Sequence, residues 1–89
     1  MIRWTKGGEA AVIEADDDRV TVRSTIPSAP GSRIEGLLPS GGPFRLKVAR
    51  CRADAGGFRI EGKMLDATRA ARDEVAALRP GGSAQGSPA

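Results

Sequence analysis

Residues 58–79 read FRIEGKMLDATRAARDEVAALR, and the hydrophobic period changes inside this stretch. Up to Leu65, Phe58, Ile60 and Met64 alternate with Arg59, Glu61 and Lys63. This two-residue repeat marks a half-buried β-strand. From Ala67 onward the spacing is helical. Ala67, Ala71, Val75 and Leu78 share one stripe, with Arg69, Arg72, Asp73 and Arg79 largely outside it. Asp66 stands at the junction, where a carboxylate can accept bonds from the first free amides of a helix. The alanines favour the helix, and Pro80-Gly81-Gly82 stops it. The stretch therefore predicts a strand to Leu65 and a helix over 66–79.

Upstream, the chain is a series of short strands between turn signals. Phe44 to Arg52 alternates Phe44, Leu46 and Val48 with Arg45, Lys47 and Ala49. Asp54-Ala55-Gly56-Gly57 joins it to the next strand as a hairpin. Pro39-Ser40-Gly41-Gly42-Pro43 and Pro27-Ser28-Ala29-Pro30-Gly31 flank the strand Ser32–Leu38, in which Ile34 and Leu38 lie on one side of Gly36. Arg19 to Ile26 is the clearest strand. Val20, Val22 and Ile26 point one way with the small Ser24 between them, and Arg19, Thr21, Arg23 and Thr25 point the other way. Asp16-Asp17-Asp18 is a turn. Glu9–Ala15 and Ile2–Thr5 complete the set, separated by Lys6-Gly7-Gly8. The fold class is mainly β: a small six-stranded antiparallel β-barrel with one C-terminal α-helix. Residues 1–79 form one domain, and the Gly/Ser/Pro-rich residues 80–89 are expected to be a flexible tail. The helix is expected to cover one barrel opening through Leu65, Val75 and Leu78, each contributing about 1.5–3 kcal/mol when buried. An exposed strand edge would be available for pairing with another chain.

Composition narrows the chemistry. The chain has 89 residues, 39% hydrophobic and 28% charged, which suits an ordinary folded domain with a small core. No apolar run reaches the roughly 20 residues of a membrane span, and Met1–Lys6 has no apolar signal segment. With one cysteine, Cys51, no internal disulfide forms, and a reducing, cytoplasmic location is expected. There is no His and no Tyr, so the commonest general base and metal ligand are missing. No P-loop pattern occurs. Three adjacent Asp residues do not face one point as calcium ligands must. Ser24, Ser28, Ser32 and Ser40 have no partner base. Cys51 sits between Arg50 and Arg52, but neighbours in a strand face opposite sides, which makes it a packing residue. Trp4 is expected to anchor the first strand. No enzyme activity, catalytic residue, cofactor or metal is expected. The net charge of +3 and pI near 9.8 come with signs that alternate along most strands, which describes a mixed solvated surface.

Residues 9–79 resemble the PilZ family of bacterial domains. Arg19–Ile26 followed by Pro27-Ser28-Ala29-Pro30-Gly31-Ser32 looks like that family's strand and proline-bearing loop. Ile34–Pro39 resembles its amphipathic strand ending in Pro, Leu46–Arg52 its Val-Val-Arg strand, and Gly57–Gly62 with Leu65 its last strand before the helix. The resemblance implies a six-stranded barrel with a C-terminal helix. Many PilZ domains bind cyclic di-GMP through Arg-x-x-x-Arg and Asp/Asn-x-Ser-x-x-Gly motifs, whose guanidinium groups hold phosphate and stack on guanine. This chain departs from both. Residue 7 is Gly after Arg3, and Asp16-Asp17-Asp18-Arg19-Val20-Thr21 follows Glu14 where the second motif belongs. Arg19 and Arg23 have the first spacing but lie within a strand, without the second motif downstream. The acidic triplet repels phosphate. The resemblance therefore implies a non-catalytic adaptor in bacterial, cyclic di-GMP-related signalling that acts through a protein partner and does not bind cyclic di-GMP. The alternative is a small basic barrel that binds nucleic acid through Arg45, Lys47, Arg59 and Lys63. Against it stand few aromatics, with both Phe expected inward, and the interspersed Glu35 and Glu61.

Overall fold

The computed structural model describes residues 1–78, in the order β1 (Ile2–Trp4), β2 (Glu9–Asp16), β3 (Arg19–Ser24), β4 (Arg33–Leu37), β5 (Pro43–Asp54), β6 (Gly57–Met64) and α1 (Arg69–Leu78). Arg79 and the expected tail over 80–89 lie outside the described residues. The strands close into an antiparallel barrel in the ring order β1-β2-β3-β6-β5-β4, with β1 paired to both β2 and β4. The ring leaves no strand unpaired along its whole length, and one-sided pairing remains at the ends of β2 past Ala10 and of β5 past Val48.

Alternation fills the interior as the sequence predicts. Ile2, Val22, Ile34, Leu46, Val48 and Ile60 are each buried to within 1% exposure. Phe58, expected inward beside Ile60, is only half-buried at the start of β6. Two bulges interrupt the alternation. Ile13 is the extra residue in β2, between the pairs Val12–Val22 and Glu14–Thr21. Ala49 is the extra residue in β5, between Val48–Gly62 and Arg50–Glu61. Each bulge advances the phase by one residue. As a result Cys51 pairs with buried Ile60 and packs against the core, while Arg50 and Arg52 are exposed.

Trp4 is 2% exposed, and its indole N–H donates to Ser24 Oγ at 2.8 Å. Ser24 in turn donates to the Ile26 carbonyl at 2.7 Å. This bond links β1 to β3, which are not neighbours in the ring. Phe44 packs against Trp4 with ring centroids 6.0 Å apart. Gly36 of β4 makes room for this arrangement: a Cβ there would lie 2.5 Å from the Arg3 carbonyl oxygen and 2.9 Å from the Trp4 ring.

The helix starts later than the sequence predicts. Asp66 is not its N-cap. It has a left-handed backbone (φ 52°), which Asp tolerates better than most residues, and it serves the reversal out of β6. Thr68 is the cap: its Oγ1 accepts from the Ala71 N–H at 3.1 Å, and its carbonyl accepts the first helical bond from Arg72. The helix packs against β2, whose residues Val12–Asp16 run on past the end of β1. Val75 is fully buried, with Ala67, Ala71 and Leu78 packed beside it. Leu65, expected to join them, is half-buried and outside this cluster. Glu74 fastens the helix to the β4–β5 turn, accepting from the Ser40 backbone N–H at 3.0 Å and Ser40 Oγ at 2.7 Å.

Replacing Gly36 with Ala forces a methyl against the β1 backbone. Denaturant titration is expected to show a loss near the upper end of the roughly 1–3 kcal/mol typical of overpacking. An unchanged midpoint would mean that β1 moves away freely.

Candidate binding surface

Along the chain the charges alternate in sign, but around the barrel they do not. Strand pairing places Arg33, Lys47, Lys63 and Arg19 opposite one another across β4, β5, β6 and β3. A second row, four residues along, sets Arg23, Arg59 and Arg52 side by side on β3, β6 and β5. Between the rows lie Thr21, Glu61 and Arg50. Seven of the chain's 14 basic residues thus line the outside of the three adjacent strands β3, β6 and β5, and Arg33 continues the first row round the barrel on β4. Strands are roughly 5 Å apart, and the two rows are separated by about 13 Å. The expected mixed surface is replaced here by a basic one, because β3 pairs with β6, a contact that no short-range signal encodes.

Few carboxylates offset these cations. Arg23 meets Asp54 at 2.8 Å, Arg59 lies 3.9 Å from Glu61, and Lys63 lies 3.8 Å from Asp18. Among the described residues, Arg19, Arg33, Lys47, Arg50 and Arg52 have no ion pair. Arg45, expected with Lys47, Arg59 and Lys63, stands apart, balanced by Glu35 and Asp66 at 3.5 Å each. Thr21, expected outward, does face outward, yet it is only 9% exposed between its register neighbours Glu14 and Glu61.

The acidic turn lies beside the first row. Asp16 pairs in register with Arg19, and Asp17 takes a left-handed backbone at φ 59°. Next to it opens a cleft of about 580 Å³ lined by Glu14, Asp16, Arg19, Thr21, Glu61 and Lys63, among others. No group of three or more metal-ligating side chains converges among the described residues.

The serines have structural partners. Ser24 holds Trp4, Ser28 and Ser32 share a hydroxyl–hydroxyl bond at 2.9 Å, and Ser40 holds Glu74. The β3–β4 loop is pinned to β5, with the Gly31 N–H donating to the Val48 carbonyl at 2.7 Å. Cys51 lines a groove under this loop with Lys6, Pro27, Ala29 and Phe58.

Compared with protein-family models, curated proteins and solved structures, the chain gives no match. No described helix is long and apolar enough to cross a membrane. The surface therefore has to be read from its own chemistry.

Directly opposed like charges in a sheet cost roughly 0.2–1 kcal/mol each. Lys47→Glu puts a carboxylate between Arg33 and Lys63. It is expected to stabilise the fold by about 0.5–1 kcal/mol and to raise Tm by a few degrees. A lower Tm would show that the cations do not repel one another in the native state.

The Arg23 guanidinium, then the Ala55 N–H, hold the Asp54 carboxyl below its ordinary value of 3.8. A depressed folded-state pKa contributes stability that is present above the unfolded value and is lost as pH falls through the folded value. A carboxyl NMR titration is expected to place Asp54 below the usual range, and Arg23→Ala to move it back up. An Asp54 titration unaffected by that substitution would assign the shift elsewhere.

Proposed function

We propose that this chain is a non-catalytic, PilZ-like binding domain. In this reading it is a cytoplasmic adaptor in bacterial, cyclic di-GMP-related signalling that works through a protein partner and does not itself bind the dinucleotide. The observation that carries the reading is the pairing of a six-stranded barrel and C-terminal helix with an acidic cluster at the position of the missing motif. Glu14, Asp16, Asp17 and Asp18 surround the place where the resemblance puts Asp-x-Ser-x-x-Gly. Two phosphates brought there meet carboxylates, with Arg19 at the far end of the run. The absence of His and the structural employment of the serine hydroxyls support a non-catalytic role.

Nucleic-acid binding is the second reading, and the cation rows favour it. It has little to stack bases on: Trp4 and Phe44 are buried, and Phe58 is half-buried on the inward phase of β6.

Calorimetric titration with cyclic di-GMP is expected to give no saturable heat. One-to-one binding in the micromolar range would overturn the ligand-free adaptor reading.

A further inference from the structure

We propose that the two cation rows on β3, β6 and β5 form the docking surface for an acidic, helical segment of a partner protein. This rests on the adaptor reading above and supplies its missing partner chemistry.

The rows leave several unneutralised cations in register, an arrangement that a second molecule's carboxylates relieve. On β3 and β6 both sides are taken by ladders, so contact with the rows there has to be made by side chains. The spacing suits a helix. Acidic residues at i and i+4 lie about 5–6 Å apart, close to the strand spacing of roughly 5 Å. A helix about 10–12 Å across, laid over the strands, fits between rows about 13 Å apart and touches both.

Nucleic acid fits less well. Its phosphates follow one another without gaps, and a duplex laid on this face would bring them onto Glu61 between the rows and Asp54 at one end. No aromatic side chain stands on the face to stack on bases. A peptide can instead place its carboxylates opposite Lys47, Arg50 and Arg52, which have no ion pair among the described residues, and leave Glu61 facing a neutral residue. Six of the 11 carboxylates (Glu14, Asp16, Asp17, Asp18, Asp54 and Glu61) lie on or beside this face, so an acidic partner is drawn to its β5 side, where those three cations stand.

The test is fluorescence anisotropy with a labelled, alanine-based peptide carrying Glu at every third or fourth position, run beside a labelled DNA duplex of similar charge. Salt is set at about 50 and 300 mM to separate screened from close contacts. Saturable peptide binding is expected, tighter than duplex binding. The double variant Lys47→Glu/Lys63→Glu should weaken it roughly tenfold or more, whereas Arg3→Glu/Arg72→Glu, with the same charge change away from the rows, should weaken it less than about threefold. Circular dichroism and Tm show that both variants are folded. Equal loss in the two variants, or no saturable peptide binding, overturns the assignment of this face and leaves the adaptor reading to the cyclic di-GMP titration. Tighter duplex binding overturns both and establishes the nucleic-acid reading.

Discussion

Closure of the barrel through a strand of only three residues is the constraint on which the rest depends. Ile2, Arg3 and Trp4, with one further bond from the Thr5 N–H to the Glu35 carbonyl, join β2 to β4. So short a ladder supplies few backbone bonds, and a side chain makes up the difference. Trp4 buries its ring and satisfies its N–H on Ser24 across the interior, so the core gains a large apolar surface without a stranded donor. Gly36 is the other half of the same device, since only a residue without Cβ lets β4 come that close to β1. Beyond the end of β1, α1 covers β2, and the Glu74–Ser40 bonds hold it to the neighbouring turn.

A closed ring also determines how the molecule can recognise anything. With β3 and β6 paired on both sides, their backbone groups are committed to the ladders, and on this face the outer side chains carry the specificity. The order β3-β6-β5 then decides which of them stand together. Residues nearly 30 positions apart, such as Arg23 and Arg52, become members of one row by way of Arg59.

Much of this was legible in the sequence. The strand series, the Pro/Gly turns and the change to a helical stripe at Ala67–Leu78 follow from apolar spacing alone, and Val75 is buried as that stripe requires. The helix start was misplaced because Asp66 and Thr68 are both capping residues, and only the need to reverse direction after β6 decides between them. The role of Ser24 was hidden because its partner is 20 residues away. The cation rows were hidden for a related reason. Charge alternation is a property of one strand, whereas a row is a property of pairing between strands distant in sequence.

The bulge at Ala49 has a consequence for how this chain can change length. Val48 and Cys51 are three steps apart, which simple alternation would put on opposite faces, and both turn inward only because the bulge absorbs one step. Deleting Ala49 would remove the bulge and keep every face, whereas ironing out the bulge without losing a residue would turn Arg50 and Arg52 into the apolar interior and expel Cys51 to the solvent. Adding a residue at the Ala55–Gly56 hairpin tip would disturb neither face. Within β5, then, the stretch between Val48 and Cys51 can lose one residue, and the bulge with it, without turning either face.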